Sequence, residues 1–289
     1  MLRGRMALAL ILPFRRARNP GFCRGSFLPP AWLALPSLAV AASMILPVVY
    51  LLVRASEAGP GAWQLLLRPR TLQVLLNTLS LALAVSASAV VIGVPLSWLT
   101  VRSDLPLRRA WSVLTVLPLA IPSLVGGFTF VAAFGYGGVA HTLLQRLGVK
   151  AFPDIYGFFG AWATLTLLSF PYVVLSVRGA LNGMDFSQEE AARTLGHTPW
   201  DTFRRVTLPQ LRPAIASSAL LVSLYTLSDF AAVSLMQFDS FTRAIYIQYQ
   251  ASFNRSYAAV LSLPLVVLTL LLVLAEHWTR SRTPYYRSG

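Results

Sequence analysis

Charge, cysteine and lysine are all scarce in this sequence. Only 12% of its 289 residues are charged and 56% are hydrophobic, against about 25% charged in a typical soluble domain. So little polar surface cannot cover a water-facing exterior, whereas a lipid-facing exterior needs no such cover, so the class is membrane protein. The single cysteine, Cys23, excludes an internal disulfide and a cysteine metal cluster. The stretch before it, Asn19-Pro20-Gly21-Phe22, does not resemble a lipoprotein cleavage site. The one lysine, Lys150, sits between Val149 and Ala151, so no glycine-rich loop ends in the Lys-Ser or Lys-Thr that cradles nucleotide phosphates. Any ATP must be bound by another chain. His141, His197 and His277 lie outside the apolar runs without metal-site spacing. No clustered catalytic residues, cofactor or metal site is expected.

What is present is arginine and long apolar runs. A net charge of +14 would suggest a nucleic-acid partner in a soluble chain, but here the basic residues fall between apolar runs and act in orientation. No nucleic-acid partner is expected. Met6 to Phe14 are apolar behind Arg3 and Arg5, as in a signal peptide. Arg15, Arg16 and Arg18 follow at once without a small-x-small cleavage site, so residues 1–30 read as a basic cytoplasmic extension.

A helix needs about 20 apolar residues to cross the hydrocarbon core. Six stretches qualify: Ala31 to Val53, Asn77 to Val101, Ala110 to Phe134, Ile155 to Val177, Ala214 to Phe238 and Ser256 to Ala275. In lipid the backbone must satisfy its own hydrogen bonds, so each is expected to be helical. The fold class is an all-α polytopic bundle with a permease-like body over 31–278 and a basic tail or linker over 279–289. Pro36, Pro47, Pro95, Pro118, Pro122, Pro171 and Pro264 fall inside these runs and kink helices by removing backbone bonds.

Placing the N-terminus inside puts seventeen of the 24 basic residues on the cytoplasmic side, among them Arg102, Arg108, Arg109, Arg178, Arg193, Arg204, Arg205 and Arg212. The other side keeps Arg54, Arg68, Arg70, Arg146, Lys150, Arg243 and Arg255. The bias orients both termini to the cytoplasm.

The loop over 179–213, between the fourth and fifth runs, is the most informative. Ser187 followed three residues later by Glu190 forms a capping box, which starts a helix. Ala191, Ala192, Arg193 and Leu195 propagate it, and Gly196 supplies the left-handed residue that ends it. Thr198 caps a second start, Pro199 fits its first turn, and Asp201 suits the positive helix end. Leu208-Pro209 and Arg212-Pro213 are expected to close this helix before the fifth span.

The spacing Glu190-Ala191-Ala192, three residues, Gly196, nine residues, Val206, one residue, Leu208-Pro209 resembles the EAA loop of permease subunits of binding-protein-dependent ABC importers, with Val206 where isoleucine is usual. Asn77-Thr78, Leu117-Pro118 and Ile121-Pro122 look like the same family. Ser228-Asp229-Phe230-Ala231-Ala232-Val233 is most similar to iron(III) permeases, with Ala231 where glycine often stands. The resemblance implies a type I importer permease of the bacterial inner membrane. Its expected partners are ABC ATPase subunits, a second six-span permease half and an extracytoplasmic substrate-binding protein. Glu190, Ala191, Ala192, Arg193, Gly196, Val206, Leu208 and Pro209 would form the ATPase-coupling surface. Ferric iron is the substrate implied first, with thiamine, polyamines or oxyanions open. Iron permeases are commonly fusions of two six-span halves, and Arg280 to Arg287 resembles the linker between halves.

Asp229 is the sole ionisable residue well inside a run. An acid in the bilayer costs about 2.5–3.5 kcal/mol on insertion scales, so it must face a cavity or a partner. It is either a polar point on the substrate route, with Ser228 and Tyr225, or a structural hydrogen-bonding group. A gradient-driven secondary transporter, the alternative from another class, would carry several intramembrane ionisable pairs. Val139, Leu143, Leu144 and Leu147, opposite Gln145, Arg146 and Lys150, predict a short interfacial helix. Tyr246, Tyr249 and Phe253, interleaved with Arg243 and Gln248, predict an aromatic interface anchor or a binding-protein contact.

Overall fold

A computed structural model describes residues 31–147, 154–185, 187–251 and 255–281. The expected extension over 1–30, the tail beyond 281, Phe186, Lys150 and Phe253 lie outside them. Among the described residues all regular structure is helical: α1 Ala31–Ser56, α2 Pro60–Gln64, α3 Pro69–Arg102, α4 Arg108–Leu114, α5 Ser123–Phe134, α6 Val139–Arg146, α7 Phe158–Gly183, α8 Ser187–Thr194, α9 Pro199–Thr202, α10 Leu208–Ser228, α11 Ala231–Leu235, α12 Phe241–Ala251 and α13 Ser256–Ser281. Six stretches among the described residues are long and apolar enough to cross a membrane.

The chain divides at Val48 into two units. In the first, the α1 side chains Trp32, Leu38 and Met44 are exposed, a surface suited to hydrocarbon and not to water. In the second, α3, α7 and α10 pack together, with α13 against α10 and α12, and α5 and α11 alongside. Leu81, Val85, Val173, Val177, Leu211 and Val222 are fully buried between them. Lipid tails are as apolar as leucine, so close packing and interhelical hydrogen bonds must hold such a bundle. Both are present. A Cβ on Gly93 of α3 would stand 2.7 Å from Val173 Cβ of α7, so the missing side chain sets how closely these helices approach. Ser86 and Ser223 hydroxyls bond at 2.8 Å across α3 and α10. Ser97 donates to Val174 O at 3.2 Å, and Trp162 Nε1 donates to Ser88 at 2.9 Å.

Two expected spans are not single helices. Ala110 to Phe134 is broken into α4, a short 3₁₀ turn at Leu117–Ala120 and α5, because Pro118 and Pro122 each lack the N–H that would continue the ladder. The third apolar stretch is displaced accordingly, to Ser123–Leu143. Ala214 to Phe238 breaks at Asp229, while its helix begins earlier, at Leu208. Leu208-Pro209 and Arg212-Pro213 therefore do not separate the loop from the span. Pro209 occupies the first turn of α10, directly after the π turn Phe203–Thr207, and Pro213 lies inside it. Pro36, Pro47, Pro95, Pro171 and Pro264 do sit within helices.

The end of the bundle away from α8 is stitched by side-chain and backbone hydrogen bonds. Phe241 N–H donates to Thr78 Oγ1 at 2.8 Å, and Asn77 Nδ2 donates to Asp239 O at 3.4 Å. Gly157 N–H donates to Met236 O at 2.6 Å. These bonds hold the turn after α11, where Gln237 takes a left-handed φ of 53°. Nearby, α6 and α12 form as helices. Phe230 and Tyr246 rings lie 4.6 Å apart, Arg243 pairs with Asp239 at 2.8 Å, and Arg255 covers Tyr249.

Candidate functional site

The segment from Ser187 to Pro209 folds largely as its residues dictate. Helix α8 opens at Ser187, whose N–H donates to Asp185 Oδ1 at 3.0 Å. That bond holds the Asp185 carboxyl below its ordinary range. Asp185 thus takes the Ser187 N–H that the expected capping box assigns to the Glu190 side chain, and Ser187 is the first residue of α8. At the other end Gly196 has φ +89°, His197 N–H donates to Ala192 O and Gly196 N–H to Arg193 O. This pair of bonds is the Schellman turn. Thr198 then caps α9. Its Oγ1 accepts from Asp201 N–H at 3.2 Å and donates to the Asp201 carboxylate at 2.6 Å. The Thr198 hydroxyl is the main cause holding the Asp201 carboxyl below its ordinary range. Phe203–Thr207 continues as one π turn into α10, so loop and span form a single rod.

The sequence-predicted residues separate into an outer and an inner set. Glu190, Ala191, Arg193 and Gly196 are exposed, together with Leu195 at 81% and Trp200 at 63%. Two large apolar side chains standing in the open beside a glycine turn form a surface that another molecule can cover. Ala192 is buried, and Val206, Leu208 and Pro209 are half-buried, with Leu208 against the main core. These four support the loop from below. Phe203, also buried, stacks under Trp200 at 5.6 Å and meets Trp98 of α3 at 5.1 Å.

Beneath this surface lies a charge pair that sequence reasoning missed. Glu189 is 5% exposed, lies 3.4 Å from Arg102 Nε and accepts from Thr207 Oγ1 at 3.0 Å. Arg102 Nη2 also donates to Leu181 O at 3.1 Å, near the end of α7. A signal for it exists in the sequence: Glu189 and Ala192 are one turn apart and share a helix face. If small Ala192 faces the bundle, Glu189 must too, and a buried carboxylate requires a cation.

The residues expected on a substrate route are brought together only in part. Tyr225 and Ser228 line a cavity of about 450 Å³ with Tyr172, Leu221, Leu265 and Thr269. Asp229 does not line it. Its carboxylate accepts from Ala232 N–H at 2.9 Å and so caps α11, and its carbonyl accepts from Thr242 Oγ1 at 2.9 Å. Asp229 follows Ser228, the last residue of α10, so it stands at the break between α10 and α11 and not within a helix. Among the described residues no group of three metal-ligating side chains occurs.

Over residues 89–283 the sequence matches the family described as "Binding-protein-dependent transport system inner membrane component". It is 36% identical over 262 residues to the Fe(3+)-transport system permease protein FbpB 2 of Haemophilus influenzae, covering 90% of this chain and 48% of that protein. The chain thus spans about half the length of that relative. It is 32% identical over 261 residues to the Molybdenum transport system permease protein ModB of Mycobacterium tuberculosis, covering 88% of this chain and 95% of that protein. In fold it is similar to a chain of a bacterial alginate ABC transporter, solved with an alginate pentasaccharide-bound periplasmic protein. The TM-score is 0.68 at 17% identity, over 86% of this chain and 94% of that one.

Proposed function

The chain belongs to the family of binding-protein-dependent transport system inner membrane components, and from that premise we propose that it forms half of the translocation pathway of an ATP-driven importer. The body is residues 31–278, both termini face the cytoplasm, and a second six-span half completes the route. The surface around Glu190, Ala191, Arg193, Leu195, Gly196 and Trp200 seats in a groove of a separate ATPase subunit, which supplies the nucleotide chemistry. A short helix laid into a groove is a recurrent mode of recognition. Inward support from Ala192, Val206, Leu208 and Pro209 passes movement of that surface into α10. An extracytoplasmic binding protein delivers substrate at the end carrying Asp239 and Arg243.

The observation that carries this reading is an exposed apolar tip, Leu195 and Trp200, on a capped turn continuous with a membrane-length helix. The arginine bias along the sequence supports the orientation. For the cargo, ferric iron leads through the relative named for Fe(3+) transport. A molybdenum-type oxyanion is the second reading, favoured by a relative matched over nearly its whole length. The test is to purify the chain from membranes with its bound partners and identify the ligand of the co-purifying receptor. An ABC ATPase and a ferric receptor support the proposal. An oxyanion receptor transfers it to the second reading, and a preparation that transports without any nucleotide-hydrolysing partner refutes it.

A further inference from the structure

Loop 187–209 is continuous in the chain with α7 and α10, but α3 has no covalent link to it. Helix α3 packs against α7 and α10 along their length, and the buried Arg102–Glu189 pair ties its end to α8 directly. Arg102 is the last residue of α3, and its side chain is 2% exposed against 7% for that of Glu189. Four segments meet at the two side chains: α3 through Arg102, α7 through Leu181 O, α8 through Glu189, and the π turn through Thr207 Oγ1. The Leu181 carbonyl lies in the last turn of α7 and accepts from Met184 N–H at 3.4 Å as well as from the guanidinium. Trp98, one turn before Arg102, touches Phe203, which adds an apolar contact between α3 and the π turn.

A buried ion pair is a poor way to gain stability, because desolvation offsets most of its attraction, and its better-attested use is to fix one arrangement of packed elements. Removing one partner is costly, because it strands the other charge. We propose that Arg102 and Glu189 are positioning residues that clamp α3 to α8, so that movement imposed on the loop by an ATPase reaches α3 as well as α7 and α10. Adjacent glutamates then divide the work, Glu190 facing outward to a partner and Glu189 inward to the spans. The clamp rests on the proposed docking role, but it fails separately from it.

The test uses the complete transporter, purified with its ATPase subunits and reconstituted in vesicles. Spin labels are placed at Ser103→Cys and Thr194→Cys in a Cys23→Ser background, and the distance between them is measured with and without trapped nucleotide. The expected wild-type result is one narrow distance shared by both states. Glu189→Ala is expected to broaden or shift that distance between states. It should also lower substrate moved per ATP hydrolysed by about tenfold, within the range of typical coupling between sites. If Glu189→Ala does not assemble, the isosteric Glu189→Gln carries the same expectation. A Glu189→Gln complex that also loses its ATPase subunit overturns the clamp, since the link would then serve assembly and not transmission. Unchanged distances and unchanged coupling with the ATPase bound overturn it too, as does a wild-type distance that already differs between states. A wild-type chain that binds no ATPase refutes the docking reading instead.

Discussion

Gly196 offers the sharpest perturbation of the loop, because its requirement is conformational and not spatial. A Cβ built on Gly196 has no atom within 4 Å, so a substitution meets no clash. It does meet the backbone: φ is +89°, and side-chain-bearing residues pay roughly 1–2 kcal/mol to hold a left-handed conformation. A β-branched residue lies at the upper end of that cost, while asparagine tolerates the region better. A penalty of one or two kcal/mol changes an equilibrium ratio by about 5- to 30-fold. That ratio is the ceiling on the loss of correctly turned loop, and apparent affinity for a partner falls with the competent fraction. Gly196→Val should therefore weaken binding of the ATPase subunit by up to about 30-fold, and Gly196→Asn by clearly less. Titration of purified ATPase onto the detergent-solubilised permease, followed by fluorescence anisotropy, reads both. Equal effects of valine and asparagine, or none from valine, would refute the argument that the turn sets the docking geometry.

Gly93→Val forces a side chain into the 2.7 Å space against Val173. It should lower the thermal stability of the detergent-solubilised protein by the equivalent of about 1–3 kcal/mol, and an unchanged melting temperature would contradict the close α3–α7 approach. Thr78→Val removes the acceptor of Phe241 N–H and strands a buried donor, at a cost of about 1–3 kcal/mol. Faster amide exchange over 237–241 is the expected readout, with α8 unaffected. Asp229→Asn should preserve transport, because an amide oxygen still caps Ala232, whereas Asp229→Ala should lose about 0.5–2 kcal/mol of stability. If the asparagine variant transports as poorly as the alanine one, the charge itself serves the route and the capping account is wrong.

The parts of this molecule that depend on local chemistry were legible from residues alone. Long uncharged runs specify helices because lipid offers the backbone no other partner, and Gly196, Thr198 and Pro199 mark their turn by conformational need. Where two rules competed, the reading slipped. Hydropathy carried the third run across Pro118 and Pro122, but two missing donors so close together outweighed it. It carried the fifth run across Asp229, whose carboxylate prefers to cap a new helix. Conversely, Pro209 and Pro213 read as stops, although one follows directly on a π turn and the other is absorbed within α10. Long-range pairs stayed hidden. Arg102 and Glu189 are 87 positions apart along the sequence, and Thr78 meets Phe241 across a separation of 163. No local pattern announces such partners, though the shared face of Glu189 and Ala192 shows that Glu189 needed one.

A photocrosslinking residue placed at Leu195 in intact cells tests the central claim most directly, since that side chain stands 81% exposed at the tip of the loop. The account predicts a covalent adduct with an ABC ATPase subunit. An adduct formed only with the extracytoplasmic binding protein, or none with any nucleotide-hydrolysing chain, would contradict it.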